Sequence, residues 1–323
     1  MNQVLLLYSD MPAEVIEQIE RKTHVVGPFS AEQDWRTPLL QADAVITGVE
    51  FKFTAGVMDA APRLRVIGRP GIGVDNVDLA AATARGICVV NTPNAPTEPV
   101  AEKVVGWMLM LAHRLREADR VARGIGWKER STLRGHDLAG KTLGLIGIGR
   151  VGSRVAQIGS SALQMRVLAY DPYAAPARAH LPGIEPVKSL DDLVPVADCV
   201  SLHCPLTDET RGMIGERQLR LMKPTAFLIN SARAQIVVEE ALVRALRQGW
   251  IAGAAVDVFS VEPPPPDHPL LHIDNVILAP HCGSFTHEGV LRMSQESAEQ
   301  VLQVLRGERP PNLVNPAVWE KRR

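Results

Sequence analysis

Neither positive nor negative charge predominates in this sequence. Its 35 Lys and Arg face 36 Asp and Glu, a formal net charge of −1 over 323 residues. No bulk basic field exists to attract nucleic acid or an anionic membrane. Long apolar runs are missing too. The longest, "VVGWMLMLA" (Val104–Ala112), falls far short of the ~20 residues of a membrane helix. It leads into "HRLREADR", which reads as a buried helix with a charged exit. The opening "MNQVLLLYSD" has no basic region before its short apolar run, so no secretory signal is expected and the expected location is cytoplasmic. Cysteine is scarce: Cys88, Cys199, Cys204 and Cys282, none in a C-x-x-C pair. Strand-like neighbours predict buried free thiols in a reducing compartment. His203-Cys204 and His281-Cys282 are adjacent pairs whose side chains point to opposite strand faces, so no metal site is expected. There is no internal repeat and no low-complexity tract beyond "EPPPPDHP".

What is present is a soluble globular composition, 46% hydrophobic and 22% charged, long enough for about two domains. Short apolar strands alternate with amphipathic helices throughout, the signature of an α/β protein with parallel sheets. The first third holds the strands "QVLLLY", "HVVG", "DAVITG", "LRVIG" and "ICVVN" and the helices "PAEVIEQIERK" and "NVDLAAATARG". "NTPNAPTEPVAEK" interrupts with three prolines, and Pro99 suits the first turn of a long helix predicted to run to about Arg123. After "GIGWKERSTLRGHDLAGK" a second series follows: "TLGLIGIG", "MRVLAYD", "DCVSLHC", "AFLINSA", "IAGAAVDVF" and "NVILAPH". Six strands match a doubly wound dinucleotide-binding sheet in number. One more helix is predicted over about Thr286–Arg306.

"GLIGIGRVGSRVAQIG" contains Gly147-x-Gly149-x-x-Gly152. It follows a buried strand and opens a helix, the context in which such glycines bind a dinucleotide. Gly147 permits the tight turn, Gly149 lets the backbone approach a pyrophosphate, and Gly152 lets helix and strand pack closely. The phosphates would meet the N–H groups of Arg150 and Val151. Asp171, in "AYDP" about twenty residues on, would accept from ribose hydroxyls and repel a 2′-phosphate, which favours NAD over NADP. An S-adenosylmethionine methyltransferase can share the glycines and the acid.

Three later segments place polar side chains just past strands, where open α/β sheets bind ligands. "FLINSARAQIV" places Arg233, "AAVDVFSVEPPPP" places Asp257 and Glu262, and "VILAPHCG" places His281. Hydride transfer between a nicotinamide and a 2-oxo or 2-hydroxy acid needs these types. Arg holds the carboxylate or carbonyl. His moves a proton at the C2 oxygen near neutral pH. Glu orients the imidazole and favours its charged form.

Here the sequence resembles the D-isomer-specific 2-hydroxyacid dehydrogenases, which include phosphoglycerate dehydrogenase and glycerate/hydroxypyruvate reductase. "GRPGIGVDNVDLAAATARGICVVNTP", "DLAGKTLGLIGIGRVG", "LHCPLTDETRGMI", "MKPTAFLINSARAQIV", "GAAVDVFSVEPPP" and "LAPHCGSFT" follow in the family's order over nearly the whole chain. The resemblance implies two doubly wound parallel-sheet domains. One is a flavodoxin-like substrate domain (1–98 plus 286–323); the other is an inserted Rossmann NAD-binding domain (99–285). It implies that Arg233 binds substrate, Glu262 supports the histidine and His281 is the acid/base. Asp257 would meet the nicotinamide carboxamide. His203, Cys204, Pro205, Ser231, Ala232 and Gly283 would line the cofactor cleft, and Thr210 would reach a phosphate. Backbone N–H groups of Ile72, Gly73 and Val74 would hold the substrate carboxylate. Crossings near Pro96–Glu102 and Ser284–His287 would be hinges whose closure excludes water. A homodimer contact is implied over about Val100–Gly140, with Trp107 and Trp127 either supplying interface area or, for Trp107, filling the core.

The chain departs from the family pattern at Ala234 and Gln235 beside Arg233, at Pro70 and at Cys282, without losing a catalytic group. At 323 residues no regulatory domain, and so no serine feedback, is expected. None of Tyr8, Tyr170 and Tyr173 falls on the substrate loop, which argues against D-lactate as the main substrate. A competing reading of the same fold is an NAD-sensing corepressor scaffold, similar to the C-terminal binding proteins.

Overall fold

The computed structural model describes residues 2–8, 10–124, 126–174 and 181–323. The chain divides into two compact units, Met1–Pro96 with Ser284–Arg323, and Thr97–Gly283.

The first unit is a parallel five-stranded sheet of β1 (Gln3–Leu7), β2 (His24–Val26), β3 (Ala44–Thr47), β4 (Val66–Arg69) and β5 (Cys88–Asn91), in the order β2-β1-β3-β4-β5. All five predicted strands are present. β3 and β4 are buried along their whole length, as expected of parallel strands covered on both faces. The chain returns from the second unit to supply one of those covers. The helix His287–Leu305, capped by Thr286 accepting from the Gly289 N–H at 2.9 Å, packs on β3, β4 and β5. Gly68 makes that packing possible. A Cβ there would sit 2.6 Å from Val301 Cγ2 and 2.8 Å from Ser297 Oγ. Gly68→Ala is therefore expected to destabilise this unit by about 1–3 kcal/mol through overpacking, measurable as a lower midpoint in urea unfolding.

The second unit is a seven-stranded parallel sheet of β6 (Thr142–Ile146), β7 (Arg166–Tyr170), β8 (Ile184–Pro186), β9 (Cys199–Leu202), β10 (Phe227–Asn230), β11 (Gly253–Val256) and β12 (Val276–Leu278). Its order is β12-β11-β10-β9-β6-β7-β8. The six predicted strands are there, with β8 in addition. β8 has three residues, none of them buried, so it carries no apolar pattern to read. The strand order reverses between β6 and β9, the switch point at which doubly wound sheets bind ligands. The long predicted helix is two helices. Thr97–Ala112 is buried along one face, whereas Leu115–Gly124 buries no residue. Between them Arg114 takes a left-handed conformation, φ 53°. The apolar stripe stops at Ala112, so no core contact holds the next turns on the same axis.

Candidate active site

The glycine fingerprint lies at the β6/β9 switch. Gly147 has φ 92°, and a Cβ on it would lie 2.6 Å from the Cys204 nitrogen. A Cβ on Gly152 would meet the Gly147 oxygen at 2.2 Å. Gly149, the N-cap of the helix Arg150–Ser161, has open space where its Cβ would be. A twelve-residue helix thus presents the amides of Arg150 and Val151 beside a vacant approach, as a pyrophosphate requires. Asp171 closes the end of β7. It accepts from the Ile148 N–H at 2.9 Å and from the Tyr173 N–H at 3.0 Å. This anchors the carboxylate beside the fingerprint with lone pairs left for a diol.

His203, Cys204 and Pro205 follow β9. The His203 ring bonds the Ser201 hydroxyl at 2.9 Å. Although the residue keeps some surface, desolvation of the ring pushes its imidazolium down to about 4, so it is neutral at physiological pH. Burial pushes the Cys204 thiol up to about 11. All four cysteines are free, but only Cys88 and Cys199 are buried; Cys204 and Cys282 are half-buried because they line strand ends. The Thr210 hydroxyl donates to the Pro205 carbonyl at 2.7 Å and accepts from the Thr207 N–H at 2.8 Å, so here it ties its own loop. Past β10, the Ser231 hydroxyl is buried with no partner among the described residues, a polar atom that a bound ligand can satisfy. Asn230, which sequence reasoning passed over, braces this turn. Its Oδ1 accepts from the Ala232 N–H at 3.1 Å and its Nδ2 donates to the Arg233 carbonyl at 2.9 Å. An Asn at a strand end is itself a turn signal.

The acid/base corner hangs on Asp257, which is 1% exposed at the end of β11. Its carbonyl accepts from the His281 N–H at 2.8 Å. Its carboxylate accepts from the Cys282 and Gly283 N–H groups, both at 2.9 Å. His281 has φ 51°, a strained setting for a side chain with a Cβ. These three bonds hold it there and aim the imidazole. Glu262 fixes the ring. Its Oε2 lies 2.8 Å from His281 Nδ1 and its Oε1 accepts from the Phe259 N–H at 3.0 Å. With Nδ1 engaged, Nε2 is the nitrogen left to carry a proton to or from a substrate.

Burial works to raise the Glu262 carboxyl, but the His281 hydrogen bond, the Phe259 N–H and the charges of His281 and Arg233 outweigh it. The carboxyl is held below its ordinary value. The pair's stabilisation is therefore complete above the ordinary carboxylate range and is lost as pH falls through the lower native value. Glu262→Gln is expected to lower stability at pH 7 and to cost progressively less on acidification. Urea titrations of both proteins at neutral and acid pH check this.

In the first unit the loop after β4 is tied down by Gly71 N–H to Thr92 Oγ1 and Asn91 Nδ2 to the Ile72 carbonyl, both 2.7 Å. Among the described residues, the N–H groups of Ile72, Gly73 and Val74 donate to no acceptor. Three consecutive free amides suit a carboxylate. Arg69, 7% exposed, donates to the Pro70 carbonyl next to them.

The family model for the D-isomer specific 2-hydroxyacid dehydrogenase, NAD binding domain, matches residues 105–283. The chain is 44% identical to a glyoxylate reductase of Korarchaeum cryptofilum over 87% of its own length and 85% of that protein. It is 43% identical to a D-3-phosphoglycerate dehydrogenase of Methanocaldococcus jannaschii over 96% of its length, a match spanning 59% of that protein. Among solved structures, the D-lactate dehydrogenase of Aquifex aeolicus complexed with NAD and lactic acid superposes with a TM-score of 0.87 at 29% identity, over 97% of this chain and 99% of that one. These likenesses run through both units and agree with the chemistry at the strand ends: the chain belongs to the D-isomer-specific 2-hydroxyacid dehydrogenase family, NAD-dependent oxidoreductases of 2-hydroxy acids.

Proposed function

We propose that this enzyme interconverts a small D-2-hydroxy acid and its 2-oxo acid, of the hydroxypyruvate, glyoxylate or phosphoglycerate type. The observation that carries the reading is the 2.8 Å contact of His281 Nδ1 with Glu262, in the unit that bears the dinucleotide fingerprint. Bound NADH supplies the hydride that reduces C2. His281 Nε2 delivers the proton to the C2 oxygen, and Glu262 stabilises the imidazolium before that transfer. Arg233 binds and polarises the carboxylate or carbonyl. The amides of Ile72, Gly73 and Val74 hold the substrate carboxylate. For the cofactor, Gly147, Gly149, Arg150, Val151 and Gly152 take the pyrophosphate and Asp171 takes the ribose diol. The same site gives His203, Cys204, Pro205, Thr210, Ser231, Ala232, Asp257 and Gly283 to the rest of the cleft.

In this reading the first unit is the substrate domain and the second the cofactor domain. The enzyme is a cytoplasmic homodimer through about residues 100–140, of which Ile125 lies outside the described residues. The helix Leu115–Gly124, which buries nothing, and Trp127, 77% exposed, support such a contact. Trp107, 4% exposed, belongs to the core instead. Among the described residues no helix is long and apolar enough to cross a membrane. The test follows NADH absorbance with glyoxylate, hydroxypyruvate, phosphohydroxypyruvate, pyruvate and 2-oxoglutarate, repeated with NADPH. Turnover of glyoxylate, hydroxypyruvate or phosphohydroxypyruvate with NADH is the expected result. Cofactor binding without turnover of any of them would overturn it in favour of a scaffold role.

A further inference from the structure

The helix Thr97–Ala112 packs beside the Asp257 turn. A Cβ on Gly283 would lie 3.6 Å from Val100 Cγ2. Three residues on, on the same helix face, Lys103 is half-buried and its Nζ donates to Cys282 Sγ at 3.9 Å. An ammonium therefore stands behind the turn that Asp257 ties and that His281 opens. Burial raises the Asp257 carboxyl, and the charges of His281 and Lys103 work against that rise. Lys103 has no place in the proton transfer. Its charge nevertheless acts on whatever lies against Asp257 and His281.

Hydride transfer requires the nicotinamide to reach the carbon whose oxygen His281 protonates, so the ring must lie in this corner. The ring is neutral in NADH and carries a unit positive charge in NAD+. The charged groups around it are Asp257 and Glu262 on one side of the balance and Arg233, Lys103 and, when protonated, His281 on the other. With His281 neutral the two signs are even and removing Lys103 leaves the corner net negative; with His281 protonated the removal takes it from net positive to even, and in either state the oxidised ring gains. We infer that Lys103 sets the redox preference of the bound cofactor, favouring NADH over NAD+ on the enzyme. This rests on the cofactor reading above.

The test measures dissociation constants of NADH by fluorescence and of NAD+ by calorimetry. It uses the full chain as wild type, Lys103→Met and Lys103→Arg, with Lys103→Gln in place of Lys103→Met should the latter not fold. In Lys103→Met the ratio Kd(NAD+)/Kd(NADH) is expected to fall roughly three- to ten-fold, the order of one partly screened charge. Lys103→Arg keeps the wild-type ratio. An unchanged ratio in Lys103→Met, or equal weakening of both forms, overturns the inference and leaves Lys103 a packing residue. Wild type that binds neither form overturns the cofactor reading, and the inference with it.

Discussion

His281→Ala should slow turnover by about 10²–10⁴-fold, the range of a lost general acid/base, while leaving NADH binding nearly intact. The loss should fall on kcat, because the proton moves only in the transition state. Direction gives a second check. Reduction consumes the proton on Nε2, so its rate should decline as rising pH deprotonates the imidazolium. Oxidation needs the free base, so its rate should decline as pH falls. Wild-type profiles with opposite slopes, both flattened in the variant, are the expected pattern. A variant turning over within about ten-fold of wild type would remove His281 from the proton path.

Asp257→Ala is expected to be nearly as damaging for a different reason. Asp257 holds the turn that carries the imidazole, through two charge-assisted bonds to the Cys282 and Gly283 amides. Their loss should cost about 2–4 kcal/mol in unfolding free energy. It also frees His281 from a left-handed conformation that only surrounding bonds maintain. A displaced imidazole misses the substrate oxygen, and displacements near 1 Å can cost about 10²-fold in rate. Asp257→Asn should recover only part of the loss, since its amide nitrogen faces one of two N–H donors. Urea unfolding and kcat, measured on both variants, separate the two effects. Full activity in a destabilised Asp257→Ala protein would show that the turn holds without the carboxylate.

How much of this was legible from residues alone depends on how narrowly the backbone constrains the side chain. Gly147 and Gly152 were readable because any Cβ would strike backbone atoms. His281, Glu262 and Arg233 were readable as chemical types at strand ends, and His281 and Glu262 do meet at 2.8 Å. β8 was not readable, because an edge strand with no buried residue needs no apolar signature. The break at Arg114 was missed because Leu115–Gly124 continues a helical pattern while losing its contact with the core. The bracing role of Asp257 and the Lys103–Cys282 contact escaped notice because each depends on residues distant in the chain, up to 179 positions apart, whereas Asn230 braces residues only two and three positions on and was a local turn signal passed over.

The return of the last helix to the first sheet has a consequence for biosynthesis. β3, β4 and β5 leave the ribosome early, but the helix that covers them, His287–Leu305, emerges only after the whole second unit. At about 5–20 residues per second that delay is roughly ten to forty seconds. During it the nascent chain carries an uncovered apolar sheet face, with Gly68 leaving a groove where Val301 will seat. The inserted unit, whose residues are contiguous, can fold on the ribosome while the first unit waits for its missing piece. Chains stalled or nicked before Thr286 should therefore be the species that chaperones capture.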